Sequence, residues 1–243
     1  MKFDADLVII GAGSAGLSVA AGAVQMAARV VLIEGGEMGG DCLNTGCVPS
    51  KALIEAARRA KGAASAKHLG VSYNDVTVDY ASVMRHVRET IAAIEPHDSQ
   101  ERFEGLGVRV IRGYAEFASK NSVRVGDETL TARRIVVAAG ATPIAPPING
   151  LDAVAYFTNE TFFENYDRPD HLIIIGGGPI GVEMAQAHAQ LGIKTTLIER
   201  FEILPREISE TREIVRTKLL QDGDTGLENC DVSWIKENEM TKS

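Results

Sequence analysis

A strand, a glycine-rich turn, a helix and a second strand tipped by a glutamate occur twice in this chain. Leu7-Val8-Ile9-Ile10 leads into Gly11-Ala12-Gly13-Ser14-Ala15-Gly16, then small residues to about Ala28, then Val30-Val31-Leu32-Ile33 and Glu34. Leu172-Ile173-Ile174-Ile175 leads into Gly176-Gly177-Gly178-Pro179-Ile180-Gly181, a helical stretch to about Leu191, then Thr195-Thr196-Leu197-Ile198 and Glu199. Gly11, Gly13, Gly16 and Glu34 map onto Gly176, Gly178, Gly181 and Glu199 with one constant offset of 165 residues. Apolar runs without polar alternation are expected of strands covered on both faces. Glycines that merely permitted tight turns would not bring a matching acid along with them. The repeat therefore predicts an α/β chain with two Rossmann-like three-layer nucleotide-binding units.

The chemistry expected of each copy is the same. The first glycine allows the tight turn, the second lets a pyrophosphate approach the backbone, and the third lets helix and strand pack closely. Free N–H groups and the positive end of the helix dipole then favour the diphosphate. Glu34 and Glu199 are placed to accept hydrogen bonds from ribose hydroxyls. A carboxylate there repels a 2′-phosphate, so the second copy is expected to prefer NAD(H) over NADP(H), with the neighbouring Arg200 working slightly against that preference.

Between the copies, Ser50 to Ala66 reads as a helix with Pro49 near its first turn. Val83, Val87, Ile91 and Ile94 recur at helical spacing between about Val78 and Glu95, with Pro96 expected to end or kink that helix. Val108 to Thr131 reads as an inserted antiparallel β-meander, broken at Gly113, Asn121 and Gly126-Asp127. Ile135 to Gly140 reads as a further buried strand, and the proline-rich Pro143 to Pro147 as a stiff crossover. These features divide the chain near Gly150 into a first nucleotide domain, 1–150, and a second, 151–243.

The second unit reads as incomplete. Ile208 to Gln221 forms an amphipathic helix, but Asp222 to Gly226 and Asn229 to Asp231 hold turn residues where a buried strand is expected, and only Val232 to Ile235 offers a short one. An unfinished sheet exposes an edge and apolar surface, which predicts reduced stability or association there.

Charge and composition narrow the function. With 25 basic and 33 acidic residues the formal net charge is −8, so no basic face for nucleic acid is expected. Asp4, Asp6 and the glycines of the first turn argue against a secretory leader. Gln25 and Arg29 stop the small-residue stretch short of the ~18–20 apolar residues needed to span a bilayer. Three cysteines are too few for a secreted disulfide scaffold. A soluble cytoplasmic protein with no membrane partner is the expectation.

Two of those cysteines lie five positions apart in Gly39-Gly40-Asp41-Cys42-Leu43-Asn44-Thr45-Gly46-Cys47-Val48-Pro49-Ser50-Lys51. A pair this close can close a small disulfide. Two thiolates with no adjacent histidine or further cysteine pair cannot complete a tetrahedral zinc site, so no metal is expected. Cys47 precedes the predicted helix, whose dipole and free N–H groups favour a thiolate.

This run closely resembles the active-site signature of the class I pyridine nucleotide–disulfide oxidoreductases, which include dihydrolipoamide dehydrogenase, mercuric reductase and glutathione reductase. With both glycine repeats in the family's order, the resemblance covers about residues 4–206. It implies that Gly11, Gly13, Gly16 and Glu34 bind the ADP half of FAD, with Gly40 and the turn Ala139-Gly140 nearby. There the family usually reads Ala-Thr-Gly, so Ala139 is a departure. It implies NAD(H) at Gly176, Gly178, Gly181 and Glu199. By resemblance Cys47 faces the flavin in a charge-transfer pair, and Cys42 is the interchange thiol meeting a small-molecule or dithiol/disulfide substrate. Lys51 matches a lysine near the flavin ring, and Glu183 the glutamate that pairs with it. An ammonium there would stabilise the reduced ring.

Family chains are about twice this length and form homodimers through an interface domain that supplies a His-Glu acid–base pair. That dimerisation domain is expected to be missing here. His68, His86, His97, His171 and His188 all lack its sequence setting and read as surface or helix residues, and Cys230 as structural or incidental. The competing reading is a non-catalytic nucleotide-binding remnant of a truncated gene. A thioredoxin-reductase-like enzyme is disfavoured, because its cysteines form C-x-x-C in the nicotinamide domain. The choice between lipoamide, Hg(II) and another disulfide stays open.

Overall fold

The computed structural model describes residues 3–65, 69–71 and 76–237. It divides into two compact units, Met1–Pro49 with Arg88–Thr142, and Ser50–Val87 with Pro143–Ser243. Two long helices, α3 (Cys47–Ser65) and α4 (Tyr80–Asp98), run from one unit into the other.

The first unit is built on a six-stranded sheet of order β3-β2-β1-β6-β5-β4. Its strands are β1 (Ala5–Ile10), β2 (Val30–Glu34), β3 (Arg109–Arg112), β4 (Ala115–Ser119), β5 (Ser122–Val125) and β6 (Glu128–Val137). Strands β3, β2, β1 and β6 run parallel, whereas β4, β5 and β6 form an antiparallel meander. The helices of this unit are α1 (Ser14–Gln25), α2 (Gly40–Asn44) and α5 (Gln100–Gly105).

Alternation along β1 explains its unbroken apolar run. Val8, with Val31 and Ile33, packs against Val123, Val125 and Leu130 of the meander. Ile9, with Leu32, packs against Leu17 and Ala20 of α1 and Phe103 of α5. Both faces are thus covered, and each large side chain removed from water contributes about 1.5–3 kcal/mol. The start of β1 is pinned by charge: Asp6 receives Arg29 Nε and Nη2 at 3.1 Å, and Asp4 accepts from Thr131 N at 2.8 Å.

Three expectations need correction in this unit. The residues around Val108–Ile111 do not open the meander; β3 follows the α4–α5 crossover and pairs parallel with β2, as a helical crossover dictates. The last meander strand and the strand expected at Ile135 are one element, β6, whose first part pairs with β5 and second part with β1. That element is not buried throughout, since Val137 is 63% exposed. Helix α4 also runs through Pro96 to Asp98. The proline falls in the last turn on the exposed side, where losing one backbone bond costs least. Its inward stripe is Met84, Val87 and Ile91, with Val83 and Ile94 half-buried.

The second unit has a parallel sheet of order β7-β8-β9. Its elements include α6 (Asn159–Phe162), β7 (His171–Ile175), α7 (Pro179–Gln190), β8 (Lys194–Ile198), α8 (Ser209–Asp222) and β9 (Thr225–Leu227). Val182, Ala185, Leu197, Ile203 and Leu219 form its core. A third strand therefore exists at Thr225–Leu227, where only turn residues were expected. Gly223 (φ 95°) caps α8 and turns the chain back to lie beside β8. Trp234 makes only an isolated bridge to Asn149. β7 differs from β1 despite its matching apolar run. Ile173 and Ile175 are 56% and 41% exposed, so one face is uncovered among the described residues.

Candidate active site

The two glycine turns have the same geometry. Gly11 (φ 104°) and Gly176 (φ 114°) end β1 and β7 in a conformation other residues rarely adopt. Gly11 N donates to Ile33 O and Gly176 N to Ile198 O, each at 2.8 Å. A Cβ on Gly16 would lie 1.8 Å from Gly11 O, and one on Gly181 1.9 Å from Gly176 O. The third glycine of each copy is thus fixed by close packing of helix on strand.

The acids match as well. Glu34 accepts from Ala12 N at 2.5 Å and Gly36 N at 2.6 Å. Glu199 accepts from Gly177 N at 2.6 Å and Phe201 N at 2.8 Å. Each carboxylate is held at its strand tip by backbone groups 165 residues apart. Among the described residues no side chain caps α1 or α7, and neither helix has an acidic residue in its first turn. Their N-terminal N–H groups are left for an anion. A Cβ at Gly178 would meet nothing within 4 Å, and one at Gly13 only Gly40 Cα at 3.8 Å. The second glycine of each copy therefore opens onto space, as a pyrophosphate cradle requires. By this donor set and these cradles, both sites fit a dinucleotide.

The cysteine loop is built against the first cradle. Gly39 N donates to Ala12 O at 2.9 Å, and a Cβ at Gly40 would lie 2.7 Å from Gly13 Cα. Asn44 Nδ2 donates to Met38 O at 3.0 Å and Gly40 O at 2.9 Å, clamping the short helix α2. A Cβ at Gly46 would come within 2.8 Å of Asp41 O. Thr45 Oγ1 is shielded from solvent with no hydrogen-bond partner among the described residues. Asn44 and Gly46 were not singled out from sequence, although both lie inside the signature.

Cys42 is half-buried in α2, and Cys47 is exposed as the first residue of α3. Neither is in a disulfide. The Cys42 thiol is pushed up to about 11, chiefly by its hydrogen bond with Cys47, then by burial and by the charge on Cys47, with a smaller push from Asp98. The Cys47 backbone pulls it the other way. The contact with Cys47 and the half-burial thus hold the proton on Cys42.

Lys51 follows four residues later in α3. Its ammonium lies 2.7 and 2.8 Å from the two Glu183 oxygens and 3.4 Å from Ser50 Oγ. Ala139 and Gly140 (φ 71°) form an exposed turn after β6, with Ala138 O and Ala139 Cα in contact range of Gly11. His86, His97 and His171 are exposed, and His68 lies outside the described residues. His188 is fully buried. Its Nδ1 lies 2.7 Å from Met184 O, and its Nε2 3.2 Å from the Tyr80 hydroxyl. Among the described residues no group of three or more His, Cys, Asp or Glu could hold a metal ion, and no helix is long and apolar enough to cross a membrane.

Residues 5–241 match the family model described as pyridine nucleotide-disulphide oxidoreductase. The chain belongs to this oxidoreductase family. Members use FAD and NAD(P)H as cofactors. A mercuric reductase from Bacillus cereus is 35% identical over 223 residues, covering 91% of this chain and 35% of that protein. A dihydrolipoyl dehydrogenase from Geobacillus stearothermophilus is 31% identical over 241 residues, covering 97% and 51%. Among solved structures, the HOCl-induced flavoprotein disulfide reductase RclA from Escherichia coli superposes with a TM-score of 0.81 at 29% identity, covering 96% of this chain and 51% of that one. This oxidoreductase chain thus spans between about a third and a half of the length of these relatives.

Proposed function

We propose that this chain carries the electron path of a mercuric reductase or dihydrolipoyl dehydrogenase type enzyme. It runs from NAD(H) through FAD to the Cys42–Cys47 pair and on to a thiol-reactive or disulfide acceptor. FAD, when bound, supplies the relay that accepts a hydride and delivers two electrons to sulfur. Residues 1–150 would hold it through Gly11, Gly13, Gly16 and Glu34, beside Gly40, Ala139 and Gly140. Residues 151–243 would hold NAD(H) through Gly176, Gly178, Gly181 and Glu199.

The observation that carries this reading is the Cys42–Cys47 contact in a loop anchored on the first glycine cradle. The hydride of NADH and one proton from solvent together supply the two electrons and two protons that convert the Cys42–Cys47 disulfide to the dithiol, leaving NAD⁺. Cys47, at the start of α3, would be the sulfur that faces the flavin. Cys42 keeps the second proton until it attacks an acceptor disulfide; the acceptor leaves as a dithiol and the Cys42–Cys47 bond closes again. Lys51, oriented by Glu183, is the cation available to a developing negative charge on the relay. The family's longer chains work as homodimers, and a reducing cytoplasmic compartment suits the Cys42–Cys47 dithiol.

The test is reconstitution with excess FAD followed by anaerobic addition of NADH. Retained flavin absorbance that bleaches with NADH supports the reading, and slower bleaching in Lys51→Ala supports the role of Lys51. Failure to retain flavin in a folded chain contradicts it.

A further inference from the structure

The tip of the second fingerprint carries a charge pair that the first does not. After Glu34 the first copy has Gly35 and Gly36, whereas after Glu199 the second has Arg200 and Phe201. In both copies the acid is tied to the same two backbone positions. Arg200 therefore follows directly in sequence an acid that is already fixed. Its Nε lies 3.3 Å from Asp231 Oδ2, and its guanidinium lies over the Phe201 ring, 5.6 Å from the centroid. Backbone pairing delivers Asp231 to that place. Asn229 N donates to Phe201 O at 2.9 Å and Cys230 N to Glu199 O at 3.0 Å, so residues 229–231 run alongside 199–201.

We infer that Asp231 is a positioning residue for nucleotide selection. It holds Arg200 neutralised and stacked on Phe201, so that the second site takes a nicotinamide dinucleotide without a 2′-phosphate. This inference rests on the second fingerprint binding the nicotinamide nucleotide. An arginine near the acid is the group that accommodates a 2′-phosphate in such folds, through strong paired hydrogen bonds to its oxygens. With two carboxylate side chains, Glu199 and Asp231, against the one guanidinium of Arg200, the tip carries a net negative formal charge and repels a phosphate. Removing the Asp231 charge balances the tip and releases the guanidinium. Both partners are well exposed, at 68% and 66%. Exposed pairs are weak, so Asp231 biases Arg200 rather than locking it.

The test is calorimetric titration of the full chain with NADH and with NADPH, using wild type, Asp231→Asn, Asp231→Glu and Asp231→Asn/Arg200→Gln. Wild type should prefer NADH. Asp231→Asn should shift the ratio toward NADPH by about five- to tenfold, Asp231→Glu should restore the wild-type ratio, and added salt should erode the shift. The double variant should lose the gain. An unchanged ratio in Asp231→Asn, with both nucleotides still bound, would overturn the inference. So would a shift that persists without Arg200, because Asp231 would then act by itself. Binding of neither nucleotide by folded wild type would instead remove the assignment of the second fingerprint, and this inference with it.

Discussion

Replacing Cys47 by alanine is expected to make Cys42 a faster nucleophile, although it removes the partner sulfur. Cys42 stands at about 11 because its S–H is held by Cys47, because it is half-buried, and because a charge on Cys47 opposes a second one. The first and third causes leave with the Cys47 side chain. The Cys47 backbone contact, which pulls Cys42 down, stays. Cys42 should therefore fall back toward the ordinary thiol value of 9.0. At pH 8 that raises its thiolate fraction from roughly one in a thousand to about one in ten, or ~100-fold. A less basic thiolate is intrinsically slower, and a Brønsted coefficient of about 0.4–0.5 removes roughly eightfold. The net expectation is about a tenfold faster reaction of the Cys42 peptide with a small aromatic disulfide, followed by quenching and mass spectrometry of the reduced protein. An unchanged or slower rate would refute the reasoning, as would a Cys42 titration midpoint that stays near 11 in the variant.

The glycines separate folding from binding. Gly16→Ala and Gly181→Ala force a Cβ to within 1.8 and 1.9 Å of a backbone oxygen and should cost about 1–3 kcal/mol or more in urea unfolding. Gly13→Ala and Gly178→Ala, at φ −78° and −72° with open space ahead, should leave unfolding within about 1 kcal/mol while weakening FAD and NADH binding respectively. Stability against pH should show two opposing buried groups. Burial pushes His188 down to about 4 from 6.5, so its unfolded form takes up a proton first, and its contribution, full above pH 6.5, is lost toward pH 4 by about 3 kcal/mol. Burial pushes Asp224 up to about 6 from 3.8, with the Thr225 backbone pulling slightly the other way; here the native state binds the proton first, so stability rises by about 3 kcal/mol as pH falls through that window. Between pH 7.5 and 4.5, His188→Gln should therefore unfold at relatively higher urea in acid, and Asp224→Asn should be stabilised above pH 7; the same slope in all three proteins would contradict both assignments.

The repeat made the architecture legible because each of its residues answers a local requirement. Gly11 needs a positive φ, Gly16 must touch a carbonyl, and Glu34 must reach the turn, so the second copy reproduces all three at Gly176, Gly181 and Glu199. Partner choice between strands was less visible. Val108–Ile111 reads like its meander neighbours, and only the α4–α5 crossover assigns β3 to the parallel side. β9 was hidden because Thr225-Gly226-Leu227 has strong turn composition, and its strand conformation comes from pairing with β8. The apolar run of β7 matched that of β1 but could not tell whether both faces would be covered, since covering comes from other elements. In the site, Lys51 and Glu183 lie 132 positions apart and were paired only through resemblance. The Asn44 clamp was not legible, because a side chain bonding to nearby backbone leaves no pattern in the sequence.

The claim that nicotinamide electrons reach this particular sulfur pair is tested most directly by counting thiols. The chain is oxidised to close Cys42–Cys47, reconstituted with FAD, mixed anaerobically with NADH and alkylated. Peptide mapping should find Cys42 and Cys47 both newly labelled as NADH is consumed one for one with the pair, and no such labelling when Glu183 and Lys51 are intact but FAD is withheld. A disulfide that stays closed while both nucleotides are bound would contradict the account.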